Sequence, residues 1–172
     1  MLINHKYKFI FLKPSRVGGS SLQVGLLRSF GYADVGYADD PLVGREILGL
    51  KHKRVRLDSH AHLDEILQMY PEASNYTLIS IYRDSWAKYE SAKRWAKHWC
   101  RAEEECNAAA KKAIEHDSYL ENLTGIVWLS SRHLQMDYED LCESYGVRSF
   151  KLPHLRKSND DKDSYNGLFG RR

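Results

Sequence analysis

The stretch that decides the fold reads Phe9-Ile10-Phe11-Leu12-Lys13-Pro14-Ser15-Arg16-Val17-Gly18-Gly19-Ser20-Ser21-Leu22. It predicts an apolar strand, placed at Tyr7 to Leu12, that runs into a glycine pair and then a helix. Glycines let the backbone approach an anion closely, and the free amides and dipole of the following helix attract negative charge. The stretch therefore predicts a phosphate cradle, with a tight turn that binds nothing as the alternative.

This cradle departs from the Walker loop of nucleotide triphosphatases. In the Walker loop a Lys and then a Ser or Thr follow the last glycine directly, so that the Lys reaches the phosphates and the hydroxyl holds magnesium. Here Ser20 follows Gly19, and the basic residues Lys13 and Arg16 precede the glycines. The order favours an anionic nucleotide bound without the usual magnesium. A P-loop nucleotide or small-molecule kinase stays open as an alternative.

Length and charge narrow the class of protein. The chain has 172 residues, which predicts a single domain over 1–172, and its net charge of +3 is too small for a duplex-binding protein. No run of about 18 apolar residues and no signal peptide is visible, so we expect a cytoplasmic protein with no membrane or nucleic-acid partner. Three cysteines predict reduced thiols rather than disulfides. The sequence leaves the oligomeric state open.

Apolar runs and periodicity predict an α/β fold with a mostly parallel sheet flanked by helices. Such sheets bind ligands at the carboxyl ends of their strands. The first strand and the helix after it are followed by a loop with short elements over 32–53, which could cover the site. The next expected elements are a short strand over 54–57, a short helix from Leu63 to Tyr70 and a strand over 76–82. After these come a helix with Trp86, Tyr89, Ala92, Trp95, Ala96 and Trp99 on one apolar side, a helix over 101–116, a strand over 133–136, a helix from about Asp137 and a polar tail after Lys151.

Three groups of polar residues follow predicted strands and should open on one edge of the sheet. They are the loop from Lys13 to Ser21, the pair His60 and His62, and Arg83 with Ser91 eight residues later. An Arg at a strand end and a Ser two helical turns on can converge on one phosphate, because the helix folds back beside the strand. The alternatives are an ion pair for Arg83 and a plain surface hydroxyl for Ser91.

These residues resemble the sulfotransferases that use 3′-phosphoadenosine 5′-phosphosulfate, in particular the small bacterial and carbohydrate-type members. The segment from Lys13 to Leu22 resembles their 5′-phosphosulfate loop, and the segment from Arg83 to Ser91 is similar to their 3′-phosphate motif. The matches follow the order of the family across almost the whole chain, and the resemblance implies a P-loop NTPase-like sulfotransferase fold. Two later segments match as well, Asp137-Tyr138-Glu139-Asp140-Leu141 and Leu152-Pro153-His154-Leu155 with Lys157-Ser158.

The resemblance implies the co-substrate and the residues that bind it. Arg83 and Ser91 would bind the 3′-phosphate of 3′-phosphoadenosine 5′-phosphosulfate, and no metal is required. The loop residues implied for the 5′-phosphosulfate are Lys13, Arg16, Val17, Gly18, Gly19, Ser20 and Ser21.

Two segments depart from the pattern of the family. Arg16 stands where the loop usually has a Lys, and Asp84-Ser85 replaces the Asn-Pro that follows the 3′-phosphate Arg. Arg keeps the positive charge but does not give up a proton readily. Three consequences of Arg16 stay open. The activity could be reduced, Lys13 could take part in catalysis, or the chain could be a non-catalytic nucleotide-binding protein of the same fold.

The expected reaction transfers a sulfuryl group to the hydroxyl of a small-molecule or saccharide acceptor. It needs a proton acceptor that titrates near neutrality, which a histidine provides. His60 is the first candidate, with Asp58 or Asp64 to orient its ring, and His62 is the reserve. A surface or helix-capping role and a metal site at the His-x-His pair are the alternatives.

A basic face is predicted on the helix after Arg83. Lys93, Lys97 and Arg101 recur every four residues, beside Trp95 and Trp99. Such a surface could hold an anionic or sugar-like acceptor by charge and ring stacking, or it could be a solvated face beside core tryptophans.

Overall fold

A six-stranded mixed sheet, in the order β4-β3-β1-β2-β5-β6, forms the centre of the fold. The computed structural model describes residues 1–37, 49–98, 100 and 102–155. The strands are β1 (Leu2–Asn4), β2 (Phe9–Phe11), β3 (Ala33–Tyr37), β4 (His52–Asp58), β5 (Thr77–Tyr82) and β6 (Ile126–Ser130). The helices are α1 (Gly19–Phe30), α2 (Leu63–Met69), α3 (Ser85–Ala96), α4 (Glu103–Asp117) and α5 (Leu134–Ser144), with short 3₁₀ helices at Pro71–Asn75 and Ser118–Asn122.

Only β1 runs against the other described strands. It pairs antiparallel with β2 and with β3, whereas β2 with β5, β3 with β4 and β5 with β6 are parallel pairs. The α/β class and the flanking helices are confirmed. The sheet is mixed because the chain begins with a hairpin, whose first strand enters the sheet between β2 and β3.

Alternation along β2 explains why the sheet is buried on both faces. Phe9 and Phe11 point into one apolar cluster, with Leu22, Leu26 and Tyr138, while Ile10 points into a second cluster on the opposite face. Side chains of a strand alternate between faces, so a continuous apolar run is typical of a strand with a core on each side. This arrangement places the loop after β2 near the middle of the sheet edge.

Helix α1 begins and ends at glycines, as predicted. Gly18 precedes it with φ 92°, and Gly31 ends it, with its N–H donating to the carbonyl of Leu27. Leu22, Leu26 and Phe30 are buried on the sheet-facing side. The helix following β5 is capped by Asp84, whose carboxylate accepts from the N–H of Ala87 at 2.9 Å.

Two predicted elements need correction, whereas the loop with short elements predicted over 32–53 holds β3 and the first two residues of β4. Its part from 38 to 48 lies outside the described residues. The strand predicted over 133–136 is wrong: the strand is β6, at Ile126–Ser130, and α5 already begins at Leu134. The apolar side predicted for α3 is also partly wrong, because Ala92 and Ala96 are buried while Trp86 is exposed.

Two further observations concern the cysteines and the helices. The three cysteines, Cys100, Cys106 and Cys142, are free thiols. Within the described part of the chain, no helix has the length and apolar character that a membrane span needs.

Candidate functional site

A cleft of about 730 Å³ opens at the carboxyl ends of β2, β4 and β5. It brings together residues that are far apart in the sequence, which is how the parallel strands of an α/β sheet form a binding site. The predicted site residues that line it are Lys13, Arg16, Val17, Gly18, Gly19, Ser20, Ser21, His60, Arg83 and Ser91. His62 alone among the predicted site residues is not part of this lining.

The loop between β2 and α1 has the backbone of an anion cradle. Arg16 has φ 60° and Gly18 has φ 92°, two left-handed residues that turn the chain sharply into the helix. The first helical bond runs from the N–H of Leu22 to the carbonyl of Gly18. The N–H groups of Gly19, Ser20 and Ser21 therefore have no acceptor within α1 and surround the positive end of its dipole.

Lys13 lies beneath this loop and is almost fully buried. Its Nζ donates to Oε1 of Gln23 on α1 at 3.2 Å. A Cβ added to Gly19 would lie 2.8 Å from Cγ of Lys13, so Gly19 lets the loop close over the lysine stem. The ammonium group is thus held at the floor of the cradle.

His60 follows β4 and faces the same loop from the other side. Its Nδ1 lies 2.7 Å from the carbonyl oxygen of Lys13, while Oδ1 of Asp58 accepts from the backbone N–H of His60 at 2.7 Å. The expectation that Asp58 or Asp64 orients the ring is therefore wrong, because the Lys13 carbonyl does so. Burial, and then the charge of Lys13, lower the pKa of His60 to about 4, so the imidazole is neutral near pH 7.

His62 has a structural setting at the start of α2. Its ring stacks on Tyr119 with the centroids 3.9 Å apart, and its backbone N–H donates to the carboxylate of Glu65 at 2.8 Å. Within the described part of the chain, neither His60 nor His62 belongs to a group of three or more side chains able to hold a metal ion. His62 is the N-cap residue of α2, and its ring packs on Tyr119 outside the lining of the cleft.

Arg83 and Ser91 reach the cleft from β5 and α3. Arg83 follows the last residue of β5, and its Nη1 donates to the carbonyl oxygen of Arg16 at 2.7 Å. Ser91 lies two turns into α3 and faces the same cleft. Burial, and then the charge of Arg94, lower the pKa of Arg83, but a guanidinium stays charged at any physiological pH.

A buried carboxylate, that of Asp117, fixes the loop from behind. Oδ2 of Asp117, at the end of α4, accepts from the N–H of Ser15 at 2.8 Å and from Nζ of Lys88 at 2.7 Å. Ser15 and Asp117 are 102 residues apart. Local sequence carries no signal for such a contact, which exists only because α4 packs on α3 beside the loop.

Trp95 is a second lining residue, although the sequence predicts it on the apolar side of α3 and, beside the basic face, on a surface that could stack on an acceptor. Its indole lines the cleft, and the guanidinium carbon of Arg16 lies 5.7 Å from the ring centroid. The spacing of four residues from Ser91 is the signal that could have placed it on the same stripe of the helix.

The basic face predicted on α3 is only partly described. Nζ of Lys93 forms an ion pair with Oε1 of Glu103 at 2.8 Å. Trp99 and Arg101, which were predicted to extend this face, lie outside the described residues. The described part of this face thus includes a lysine that is already paired, which favours the solvated-face interpretation.

The chain after α5 forms the outer wall of the cleft. Leu152, Pro153, His154 and Leu155 line it, and the N–H of Leu152 donates to Oε1 of Gln135 at 2.8 Å. Lys157 and Ser158 lie outside the described residues. Arg132 and Lys151 add positive charge to the lining, so the cleft is strongly cationic.

Comparison with protein-family models, with curated proteins and with solved structures found no match to this chain. The chemistry of the cleft is therefore the basis for a function. Its cations, free amides and neutral imidazole can bind two anionic groups and accept one proton.

Proposed function

We propose that the protein transfers a sulfuryl group from 3′-phosphoadenosine 5′-phosphosulfate to a hydroxyl acceptor, and that its fold is the P-loop NTPase-like sulfotransferase fold. The observation that carries the proposal is the hydrogen bond from Arg83 to the carbonyl of Arg16. It joins two anion-binding elements in one cleft: the cradle after β2, and Arg83 with Ser91. A nucleotide with phosphates at both its 3′ and 5′ positions is a ligand that uses both elements.

The cradle suits the charged end of such a nucleotide. The amides of Gly19 to Ser21, the positive end of α1 and the cations Lys13 and Arg16 would stabilise charge on the transferred group and on the leaving phosphate oxygen. Sulfuryl transfer, like phosphoryl transfer, depends mainly on in-line positioning and on such electrostatic stabilisation. Arg83 and Ser91 would hold the 3′-phosphate by a charged and a neutral donor.

His60 is proposed to take the proton from the acceptor. Because a carbonyl only accepts, the bond to Lys13 requires the proton on Nδ1, which leaves the lone pair of Nε2 available. The acceptor oxygen would form a bond to sulfur as the bond from sulfur to the phosphate oxygen breaks, and Nε2 would receive the hydroxyl proton. Anionic groups bound beside His60 would raise its pKa from about 4 and so make it a stronger base.

The acceptor is proposed to be a small molecule or saccharide, and the site of action the cytoplasm, where free thiols stay reduced. The kinase alternative has less support, because Ser20 occupies the position where a Walker loop has Lys.

Calorimetric titration with adenosine 3′,5′-bisphosphate, in parallel with ATP and magnesium, tests the proposal. We expect the bisphosphate to bind and ATP with magnesium to bind far more weakly. Preference for ATP with magnesium would support a kinase instead, and absence of bisphosphate binding would overturn the proposal.

An acceptor screen with labelled donor follows a positive titration. We expect His60→Gln to lower kcat about 100-fold or more, as loss of a general base does, while the exposed His98→Gln serves as the matched control. Bisphosphate binding without turnover on any acceptor would support the non-catalytic alternative.

A further inference from the structure

Arg16 is held at both ends by side chains from outside its loop. Its carbonyl accepts from Nη1 of Arg83 at 2.7 Å, and its guanidinium carbon lies 5.7 Å from the ring centroid of Trp95. A cation within about 6 Å of an indole centroid is attracted by the ring quadrupole. Arg16 also has φ 60°, a left-handed conformation that a residue with a side chain adopts only when its surroundings hold it there.

One stripe of α3 carries both Trp95 and the serine of the proposed 3′-phosphate site. Ala87, Ser91 and Trp95 follow each other at intervals of four residues, and all three line the cleft. Residues at this spacing share one face of a helix. The same helix therefore carries Ser91, a donor for the proposed 3′-phosphate. It also carries Trp95, the aromatic partner of Arg16, whose cation belongs to the proposed 5′-phosphosulfate cradle.

Trp86, the other described tryptophan of α3, does not share the position of Trp95 in the cleft. It is 69% exposed, stacks on Tyr89 with the ring centroids 5.7 Å apart, and does not line the cleft. Trp95 is 37% exposed and lines the cleft that Arg16 also lines.

We infer that Trp95 is a positioning residue that holds the Arg16 guanidinium over the cradle, and that this aromatic partner is what allows Arg rather than Lys at position 16. A guanidinium is planar and stacks on aromatic faces, whereas an ammonium is a compact, strongly hydrated charge. The Trp95 ring would thus compensate for the departure of Arg16 from the family pattern. The inference rests on the proposed function, because the readout is binding of the bisphosphate.

A double-mutant cycle tests the inference. The variants are Trp95→Ala, Arg16→Lys and the two together, with Trp95→Phe as the conservative replacement and Trp86→Ala as the matched control on the same helix. Each is titrated with adenosine 3′,5′-bisphosphate, and its melting temperature is measured to confirm folding. We expect Trp95→Ala to weaken binding about 5- to 10-fold, in line with a partly desolvated cation–π contact.

The bisphosphate affinities across the cycle show whether Trp95 acts through Arg16. Trp95→Phe should recover most of the affinity, Trp86→Ala should keep the wild-type value, and Arg16→Lys should have little further effect once Trp95 is Ala. Binding within twofold of wild type in Trp95→Ala, or losses that multiply in the double variant, would overturn the inference.

Failure of the proposed function gives a different result. In that case the wild type itself binds no bisphosphate, and the role of Trp95 in binding is overturned with it. The contact between Arg16 and Trp95 can still be measured without ligand, by NMR of the Trp95 indole N–H. This resonance is assigned as the one that disappears in Trp95→Phe. Arg16→Ala should shift this resonance, whereas an unchanged resonance would refute the contact itself.

Discussion

Nδ1 of His60 lies 2.7 Å from the carbonyl oxygen of Lys13, and this contact decides which ring nitrogen carries the proton. The carbonyl can only accept, so Nδ1 donates and Nε2 keeps its lone pair. The same contact ties the segment after β4 to the loop after β2. A candidate base and the candidate cradle are therefore fixed relative to each other by a backbone atom, which substitution of the Lys13 side chain does not remove.

The first prediction concerns stability at low pH. Burial and the charge of Lys13 hold the pKa of His60 at about 4, below the ordinary histidine value of about 6.5. Between these values the unfolded chain binds a proton that the folded protein does not, so stability falls as pH decreases. The free energy of unfolding should fall between pH 7 and pH 4.5. We expect this fall to be about 2 to 3 kcal/mol smaller in His60→Gln than in wild type.

Urea unfolding of both proteins at the two pH values measures this difference directly. Groups other than His60 titrate in both proteins and cancel in the comparison. Equal losses in the wild type and the variant would show that the imidazole is not held neutral in the folded state.

The second prediction concerns the carboxylate behind the loop. Asp117 is buried at the end of α4, where the helix dipole disfavours a negative charge, and it is held there by Lys88 and the N–H of Ser15. Asp117→Ala leaves the buried ammonium of Lys88 without its ion-pair partner. We expect a loss of about 3 kcal/mol in the free energy of unfolding, measured by chemical denaturation.

Glu115→Ala is the matched control for this substitution, since it removes an exposed carboxylate from the same turn of α4. It should change stability by no more than about 0.5 kcal/mol. A similar small change in Asp117→Ala would contradict the buried ion pair.

The third prediction concerns the packing of the outer wall. A Cβ added to Gly25 on α1 would collide with Cδ2 of Leu152 and approach Cζ of Tyr138 to 3.2 Å. Gly25→Ala should therefore destabilise the protein by about 1 to 3 kcal/mol, as overpacking does, and loosen the segment that lines the cleft. Thermal unfolding and bisphosphate titration measure the two effects.

Leu152→Ala tests whether the collision with Leu152 is what makes Gly25→Ala destabilising. In that background the added methyl group has space, so Gly25→Ala should lose most of its effect. Additive losses in the double variant would show that the contact with Leu152 is not the source of the strain.

Elements with strong local signals were predicted well. The run Phe9-Ile10-Phe11 and the glycines at either end of α1 combine buried apolar residues with turn residues, and both appear where expected. The strand predicted over 76–82 is β5, shorter by one residue. In these segments the local preference and the tertiary fold agree.

Strands β1 and β3 have weak local signals and depend on tertiary contacts. β1 has three residues, too few to show a period, and β3 carries Asp34 and Gly36, which are rare in strands. Gly36 is required there because a Cβ would lie 2.6 Å from the carbonyl oxygen of Asp58. β6 has a local signal in the apolar run Ile126-Val127-Trp128-Leu129, although the strand was predicted over 133–136 instead.

The site was predictable as far as topology determines it. Residues placed at the carboxyl ends of parallel strands meet at one edge, so the loop, His60 and Arg83 were expected together. Asp117 and Trp95 could not be assigned in this way, because their roles come from how α3 and α4 pack against the loop. His62 shares the position of His60 after β4, but the helix that it begins turns its ring toward Tyr119.

The most direct test of the central claim compares two ligands on two proteins. Adenosine 3′,5′-bisphosphate and AMP, which lacks the 3′-phosphate, are titrated into wild type and Arg83→Ala, with the exposed Arg94→Ala as control for the loss of one positive charge. In wild type the 3′-phosphate should strengthen binding about 10- to 100-fold, the range of a charge-assisted hydrogen bond. In Arg83→Ala this preference should nearly vanish, whereas an equal preference for the bisphosphate in both proteins would contradict a 3′-phosphate site at Arg83.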